Sequence, residues 1–399
     1  MIKKVSKKPS IALGLFVIFV IVFLNSLGPY FQLQQVATLI LIPLLFLISF
    51  VIDINDITYG KKEFLLFLMI LLTSIPTIFI YIGFEEFIRN FSLLLGAVLG
   101  AYIVLGLTNS FDYSLYFHIG YIISIILLFI IMILNNNIGI NFATAIDYRD
   151  RFMLNANAYS YYCIFANFSL FYLYLQYRNK FLLILLTILP IIFLIIAFTT
   201  QSRAGLVLII LINILFWFFV NKSHNKNIFK KLFRTCLLIS LFIIFSIRFI
   251  DLYEGSRISN RVTQTTQRED SREVLFWEGI EVFTENPFIG VGLGQFPFYS
   301  KYKLFTHNSY AEILAEQGIL GAFFLFALYI KPSTLSYRNL KKDFSNPIYR
   351  CNILFFTTFL LYNNAYVFYK FPFSMMYFFL IISIQKNYSS ENQLFQNNK

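Results

Sequence analysis

Residues 181–220, FLLILLTILPIIFLIIAFTTQSRAGLVLIILINILFWFFV, contain two long apolar runs that only a short polar segment, Thr199-Thr200-Gln201-Ser202-Arg203, separates. About 20 apolar residues in a helix cross the hydrocarbon core of a bilayer once. Similar runs recur along the chain, which is 58% hydrophobic and 13% charged, whereas soluble proteins are about 25% charged. The sequence therefore predicts an all-α, polytopic membrane helix bundle. It excludes a soluble enzyme, a secreted disulfide scaffold and a disordered chain.

The apolar runs predict about twelve transmembrane helices in a single integral membrane domain that covers residues 1–399. The predicted spans are 11–27, 36–52, 64–82, 87–106, 115–134, 156–176, 181–198, 204–220, 233–250, 309–330, 349–368 and 372–385. The longest polar stretch, residues 251–308, is predicted to be one extracytoplasmic loop between spans nine and ten. Its segment SREVLFWEGIEVFTENP carries apolar residues at helical spacing, so the loop is expected to contain short helices. These residues are Val274, Leu275, Trp277, Ile280 and Val282 or Phe283.

The charges of the connecting loops predict the orientation in the membrane. Of the 32 lysines and arginines, twenty lie on the side of the N-terminus, and the other twelve, nine of them arginine, lie on the opposite side. The positive-inside rule assigns the first side to the cytoplasm. We therefore expect a multi-pass protein of the cytoplasmic (inner) membrane with its active face outside the cytoplasm. The positive charge is spread over loops and forms no dense basic patch, which argues against a nucleic-acid partner.

Three outer arginines are candidate anion ligands, because the planar guanidinium binds phosphate oxygens with two hydrogen bonds. Arg203 stands at the edge of an apolar run, where a charge marks either a functional site or a side chain that snorkels to the interface. Arg268 and Arg272 precede the loop helix, where cations oppose the helix dipole. Either they hold a bound anion, or they pair with the carboxylates beside them.

Two further motifs lie late in the outer loop. Asn286 to Gly294, NPFIGVGLG, has three alternating glycines, which permit close backbone approach to a ligand or serve only as a structural turn. His307 is the only histidine on the outer side and is a candidate general base, although such a histidine can also be inert. Asn308 or Ser309 would make a normal N-cap for the next span. With three histidines and no C-x-x-C pair, we expect no metal site and no cofactor.

In this order, the motifs resemble the O-antigen ligase and polymerase superfamily of bacterial membrane glycosyltransferases. The elements that carry the resemblance are Ser202-Arg203, Arg272 to Trp277, Asn286-Pro287 to Gly292, His307-Asn308 to Tyr310, Glu316 to Gly321 and a weaker one from Arg151 to Ala158. The resemblance implies a GT-C-like helical fold. It also implies transfer of a glycan from undecaprenyl diphosphate to an acceptor hydroxyl on the extracytoplasmic face, without metal or cofactor.

The resemblance also implies residue roles and partners. Arg203 and Arg272 would hold the diphosphate, and His307 would activate the acceptor hydroxyl. The further candidate substrate-binding residues are Arg151, Arg268, Trp277, Gly292, Asn308 and Tyr310. The implied partners are the undecaprenyl-diphosphate-linked glycan donor, a glycan or lipid acceptor, membrane lipids and a chain-length regulator protein.

Several functions stay open at this point. A polymerase that adds repeat units is favoured, and the alternative is an O-antigen ligase that moves the finished glycan to lipid A-core. A different class is a lipid-linked oligosaccharide transporter or flippase. Transporters often show inverted repeats with midplane sites, whereas this sequence has no such repeat. A non-catalytic scaffold would not need the outer histidine.

Overall fold

The computed structural model describes residues 10–51, 60–79, 81–111, 113–135, 157–200, 202–221 and 271–397. Within these ranges the regular structure is helical, which confirms the predicted all-α class. The predicted span 233–250 and residues 251–270 of the predicted loop lie outside the described residues. Each predicted span that falls on described residues overlaps a helix, while the total of about twelve spans stays a prediction.

The helices are numbered here in chain order, and short π-helical turns are included in the helices that they extend. They are α1 (Ile11–Tyr30), α2 (Gln34–Ser49), α3 (Lys61–Ser74), α4 (Phe84–Phe111), α5 (Ser114–Leu134), α6 (Asn157–Tyr177), α7 (Lys180–Thr199), α8 (Arg203–Leu215, extended by Phe216–Val220), α9 (Ser271–Glu285), α10 (Phe296–Tyr299), α11 (Ser309–Lys342), α12 (Pro347–Tyr362) and α13 (Pro372–Asn397).

Among the described residues, six helical segments are long and apolar enough to cross a membrane. They belong to α1, α3, α4, α5, α7 and α11. On α7, Ile184, Ile188 and Ile191 recur about one helical turn apart and are each half exposed, whereas Leu186 and Phe193 are buried. An apolar stripe that faces outward is costly in water and is stable against lipid tails. The chain is therefore a multi-pass membrane protein.

Long helices pack together and bring their ends into two groups. Helix α13 packs against α4, α1 against α5, and α3 against α11. At one end, the buried Glu63 of α3 pairs with Lys331 of α11 at 3.4 Å and with Lys386 of α13. We call this the Glu63 end. The opposite end, called the site end, holds α9, the loop of residues 286–308 and the starts of α6, α8, α11 and α13.

Helix α11 is broken near its start, at Gly318, whose backbone is left-handed in φ (φ 61°, ψ −158°). The loop of residues 286–308 fills this break through backbone hydrogen bonds. They run from Val291 N to Ala315 O (2.9 Å), from Gly292 N to Glu316 O (2.9 Å) and from Ile319 N to Pro287 O (2.8 Å). The NPFIGVGLG motif thus supplies two amide donors and one carbonyl acceptor to backbone groups that the break frees from the helix ladder. It fixes the first turns of α11 in place.

We expect Gly318→Ala to destabilise the protein by at least about 2 kcal/mol, because almost only glycine adopts this combination of φ and ψ, which costs other residues about 1–3 kcal/mol before any clash is counted. The new Cβ would also stand 2.4 Å from the Phe288 carbonyl carbon. Thermal unfolding of the purified protein in detergent measures the effect. The matched control is Gly96→Ala, whose Cβ would meet its nearest neighbour, Pro372, at 3.4 Å. Equal melting temperatures for the two variants would contradict this explanation.

Candidate active site

His307 lies in a tight turn that leads directly into α11. Its backbone has a φ of 57°, a region that non-glycine residues seldom occupy and that is concentrated at functional sites. Asn308 is the N-cap of α11, and its Oδ1 accepts the backbone N–H groups of Tyr310 (2.9 Å) and Ala311 (3.1 Å). The Thr306 hydroxyl donates to the Asn308 carbonyl at 2.7 Å. These contacts hold the histidine in a fixed backbone conformation.

Arg272 reaches the same place from the first turn of α9. It forms a side-chain hydrogen bond with Tyr161 of α6, and its charge acts on His307 and on Tyr362 of α12. The Tyr161 ring packs against the rings of Tyr362, at 4.6 Å between centroids, and Tyr366, at 5.0 Å. The structure therefore brings Arg272 and His307 together against a wall of buried tyrosines.

The surroundings of His307 keep its imidazole neutral. Burial lowers its pKa, and the positive charge of Arg272 lowers it further. The carboxylate of Glu312 raises it in part, and the resulting pKa is about 4. The Nδ1 atom is buried and has no hydrogen-bond partner in the part of the chain that the structure describes. At neutral pH the imidazole is therefore unprotonated, which is the form that a general base requires.

We expect Arg272→Ala to raise the pKa of His307 from about 4 toward the ordinary value of 6.5. The pKa rises because the Arg272 cation disfavours a second positive charge beside it. Removing this cation makes the protonated imidazole less costly. The value should stay below 6.5 because burial remains. NMR titration of histidine-labelled protein measures it. Arg89→Ala, at an exposed arginine of α4, is the control. An unchanged pKa in Arg272→Ala would show that the two groups do not interact.

Arg203 is the first residue of α8 and lies at the same end of the bundle. Ser202 precedes it as the N-cap, with its Oγ accepting the Gly205 N–H at 3.3 Å. The Ser202 hydroxyl also accepts a hydrogen bond from Ser160 of α6 at 2.8 Å. Because Ser160 is the neighbour of Tyr161, the backbone of Arg203 starts beside α6, the helix whose Tyr161 contacts Arg272.

Trp277 and Tyr310, which were also predicted to bind substrate, lie in surroundings that differ from those of Arg272 and His307. Trp277 is 61% exposed, while Leu275 and Val282 form the buried side of α9, so only part of the apolar spacing marks the side that packs against the protein. Tyr310 donates from its hydroxyl to the Leu360 carbonyl at 2.9 Å. It thus ties α11 to α12.

Other predicted residues have structural contacts or lie beyond the described part. The Gly292 N–H donates to the Glu316 carbonyl in the break of α11. The Asn308 Nδ2 donates to Asn364 Oδ1 at 3.3 Å. Arg151 and Arg268 lie outside the described residues. Among the residues that are described, no group of three or more His, Cys, Asp or Glu is placed to hold a metal ion.

Lys370 is a buried residue of the site that the sequence motifs did not identify. It lies in the return loop, residues 363–371, which connects α12 to α13. Its ammonium contacts Glu312 Oε1 at 2.9 Å and Glu316 Oε2 at 2.5 Å. Burial lowers the pKa of Lys370, but the two carboxylates outweigh it and the pKa lies above its ordinary value. The available signal was a single lysine inside the apolar segment FYKFP, since an isolated charge in such a segment needs a partner.

The fold and this site define a multi-pass α-helical membrane protein with an arginine and a histidine side by side at one end of the bundle. Residues 188–326 match the model of the family described as O-antigen ligase. The match confirms the predicted resemblance to the O-antigen ligase and polymerase superfamily, and it supports an enzyme of polysaccharide biosynthesis. It runs from α7 into α11 and includes Arg203, Arg272 and His307. No curated protein matches the chain.

Proposed function

We propose that this protein is a surface-polysaccharide (O-antigen) polymerase. It transfers glycan repeat units from undecaprenyl diphosphate to a sugar hydroxyl of the acceptor, on the extracytoplasmic face of the inner membrane. The observation that supports it best is the position of Arg272 beside His307, whose buried Nδ1 has no partner among the described residues. This pair matches the needs of the reaction, which are a base for a hydroxyl and a cation for a leaving diphosphate.

In the proposed mechanism, neutral His307 takes the proton of the acceptor hydroxyl while its oxygen attacks the anomeric carbon of the donor. The bond between that carbon and the diphosphate oxygen breaks, and undecaprenyl diphosphate leaves with the electron pair. Arg272, which its hydrogen bond with Tyr161 positions before the reaction, stabilises the growing negative charge of the transition state, and Arg203 would hold the same diphosphate. The proton on His307 then passes to solvent or to the departing diphosphate.

Donor binding would also strengthen the base. In the free protein, the Arg272 cation helps to hold the pKa of His307 at about 4. A diphosphate on Arg272 brings negative charge next to the imidazole and opposes this effect. His307 then accepts a proton more readily when the donor is present than when the site is empty. The arrangement favours attack on the bound glycan.

The second candidate is an O-antigen ligase, which the description of the matching family favours. A ligase uses the same donor and the same chemistry, but its acceptor is lipid A-core. The transporter alternative has less support, because the candidate residues of the described chain gather at one end of the bundle and not near its middle. The proposed partners are the lipid-linked donor, a glycan or lipid acceptor, membrane lipids and a chain-length regulator protein.

Electrophoresis of surface polysaccharide from a deletion strain tests the proposal. A polymerase defect leaves a single repeat unit on the acceptor, whereas a ligase defect leaves full-length polymer on the carrier lipid. Complementation with the wild-type gene should restore the long-chain ladder. Normal long-chain polysaccharide on the acceptor in the deletion strain would overturn both enzymatic functions.

A further inference from the structure

The return loop is anchored to the start of α11, immediately after the His307 turn. Ser309 donates from its hydroxyl to the Tyr366 carbonyl at 2.9 Å and accepts the Phe368 N–H at 3.0 Å. The Ser309 N–H donates to the Asn363 carbonyl at 2.8 Å. These bonds fix the loop that carries Lys370. The lysine is therefore held in place by contacts that do not depend on its own charge.

Glu312 connects Lys370 to the His307 turn. Its Oε1 contacts the Lys370 ammonium, and its Oε2 accepts the backbone N–H of Thr306 at 2.8 Å. Glu316 also pairs with Lys370, one helical turn further along α11, but within the described residues its side-chain oxygens make no hydrogen bond to the turn. All three side chains are nearly inaccessible, with exposures of 3% for Lys370, 2% for Glu312 and 0% for Glu316.

We propose that Glu312, held by Lys370, is a positioning residue that sets the His307 turn for proton transfer. The inference rests on the proposed function of His307 as the base. The Thr306 N–H bond to Glu312 secures the residue before the histidine, and the Asn308 cap secures the residue after it. Between these two anchors, His307 keeps its uncommon positive φ. Burying two carboxylates is costly, and Lys370 offsets that cost in the low-dielectric interior.

The two contacts of the Glu312 side chain require a carboxylate. Both groups that Glu312 contacts, the Lys370 ammonium and the Thr306 N–H, are donors. A carboxylate accepts a hydrogen bond from each donor with one of its two oxygens. An amide has one acceptor oxygen and turns its NH₂ toward one of the donors. Glu312→Gln therefore loses one of the two contacts while the volume of the side chain is kept. The same replacement at Glu316 leaves the Thr306 anchor intact.

The test compares Glu312→Gln with Glu316→Gln, a matched pair because each variant leaves one carboxylate to pair with Lys370. Purified protein is assayed with lipid-linked glycan donor and acceptor over a range of donor concentrations. For Glu312→Gln we expect kcat to fall about 10- to 100-fold, since a small misplacement of a catalytic group costs up to about 10²-fold. KM for the donor should change less than about threefold. For Glu316→Gln, kcat should stay within about threefold of wild type, because this change leaves the Thr306 contact with Glu312 in place.

The outcomes separate this inference from the proposed function. Equal kcat values for the two variants, or an effect confined to KM, would overturn the positioning role. Full activity of His307→Ala in the same assay would show that His307 is not the base, whatever the result for Glu312. Thermal unfolding in detergent checks that both variants are folded. If Glu312→Gln is unstable, Glu312→Asp takes its place, because it keeps the negative charge but its shorter side chain cannot span both Lys370 and the Thr306 N–H. Wild-type kcat in a folded Glu312→Asp would likewise overturn the role.

Discussion

Replacement of His307 with alanine is expected to lower the rate of glycan transfer by about 10²–10⁴-fold, which is the usual contribution of one general base. The reason is that no other group described beside Arg272 combines a neutral side chain with a buried nitrogen that lacks a partner. The loss should appear in kcat, with donor binding kept, because Arg272 remains. Electrophoresis of surface polysaccharide and an in vitro transfer assay both measure it.

The positive φ of His307 requires a control for backbone strain. Alanine is strained at a φ of 57°, whereas glycine adopts this region freely and asparagine tolerates it better than most residues. His307→Gly and His307→Asn should therefore fold at least as well as His307→Ala and should be equally inactive. Normal amounts in the membrane exclude a folding defect. Long-chain polysaccharide from folded His307→Gly would show that the imidazole is not the base.

The helical architecture could be predicted from the sequence because the thickness of the bilayer dictates the length of an apolar run. The helix α9 and the N-cap at Asn308 were likewise predictable, since helical spacing and capping are local properties. The surroundings of Trp277 on α9 could not be predicted. Apolar spacing alone does not tell whether Trp277 contacts protein or points outward, and in the structure it is exposed.

Other parts of the site depend on contacts between distant residues. Glu312 and Glu316 stand four residues apart, a spacing that places both on one face of α11 and indicates that this face contacts protein or water. Their partner Lys370 comes from the loop that follows the next helix, α12, and no local pattern relates it to them. The break at Gly318 also depends on contacts with residues that are distant in the sequence. A glycine in an apolar span is compatible with an unbroken helix, and only the loop packed against it explains the positive φ.

Replacement of Arg272 is expected to have the second large effect, and lysine is more informative than alanine. Arg272→Ala removes a donor to the developing charge and should lower kcat by about 10²–10³-fold. Arg272→Lys keeps the positive charge but has no planar fork, so it cannot bind two phosphate oxygens while it also contacts Tyr161. Loss of one charge-assisted hydrogen bond, about 1.5–3 kcal/mol, corresponds to about a 10- to 150-fold lower rate.

The control for Arg272→Lys is Arg89→Lys, since both arginines lie at the site end of the bundle. Arg89 is exposed on α4 and pairs with Glu86, and surface pairs of this kind contribute about 0–1 kcal/mol. Its replacement should leave the polysaccharide ladder unchanged. Arg203→Lys is expected to resemble Arg272→Lys if both guanidinium groups bind the same diphosphate. Wild-type transfer by Arg272→Lys would mean that positive charge alone is needed there. The bidentate contact that assigns the diphosphate to Arg272 would then have to be abandoned.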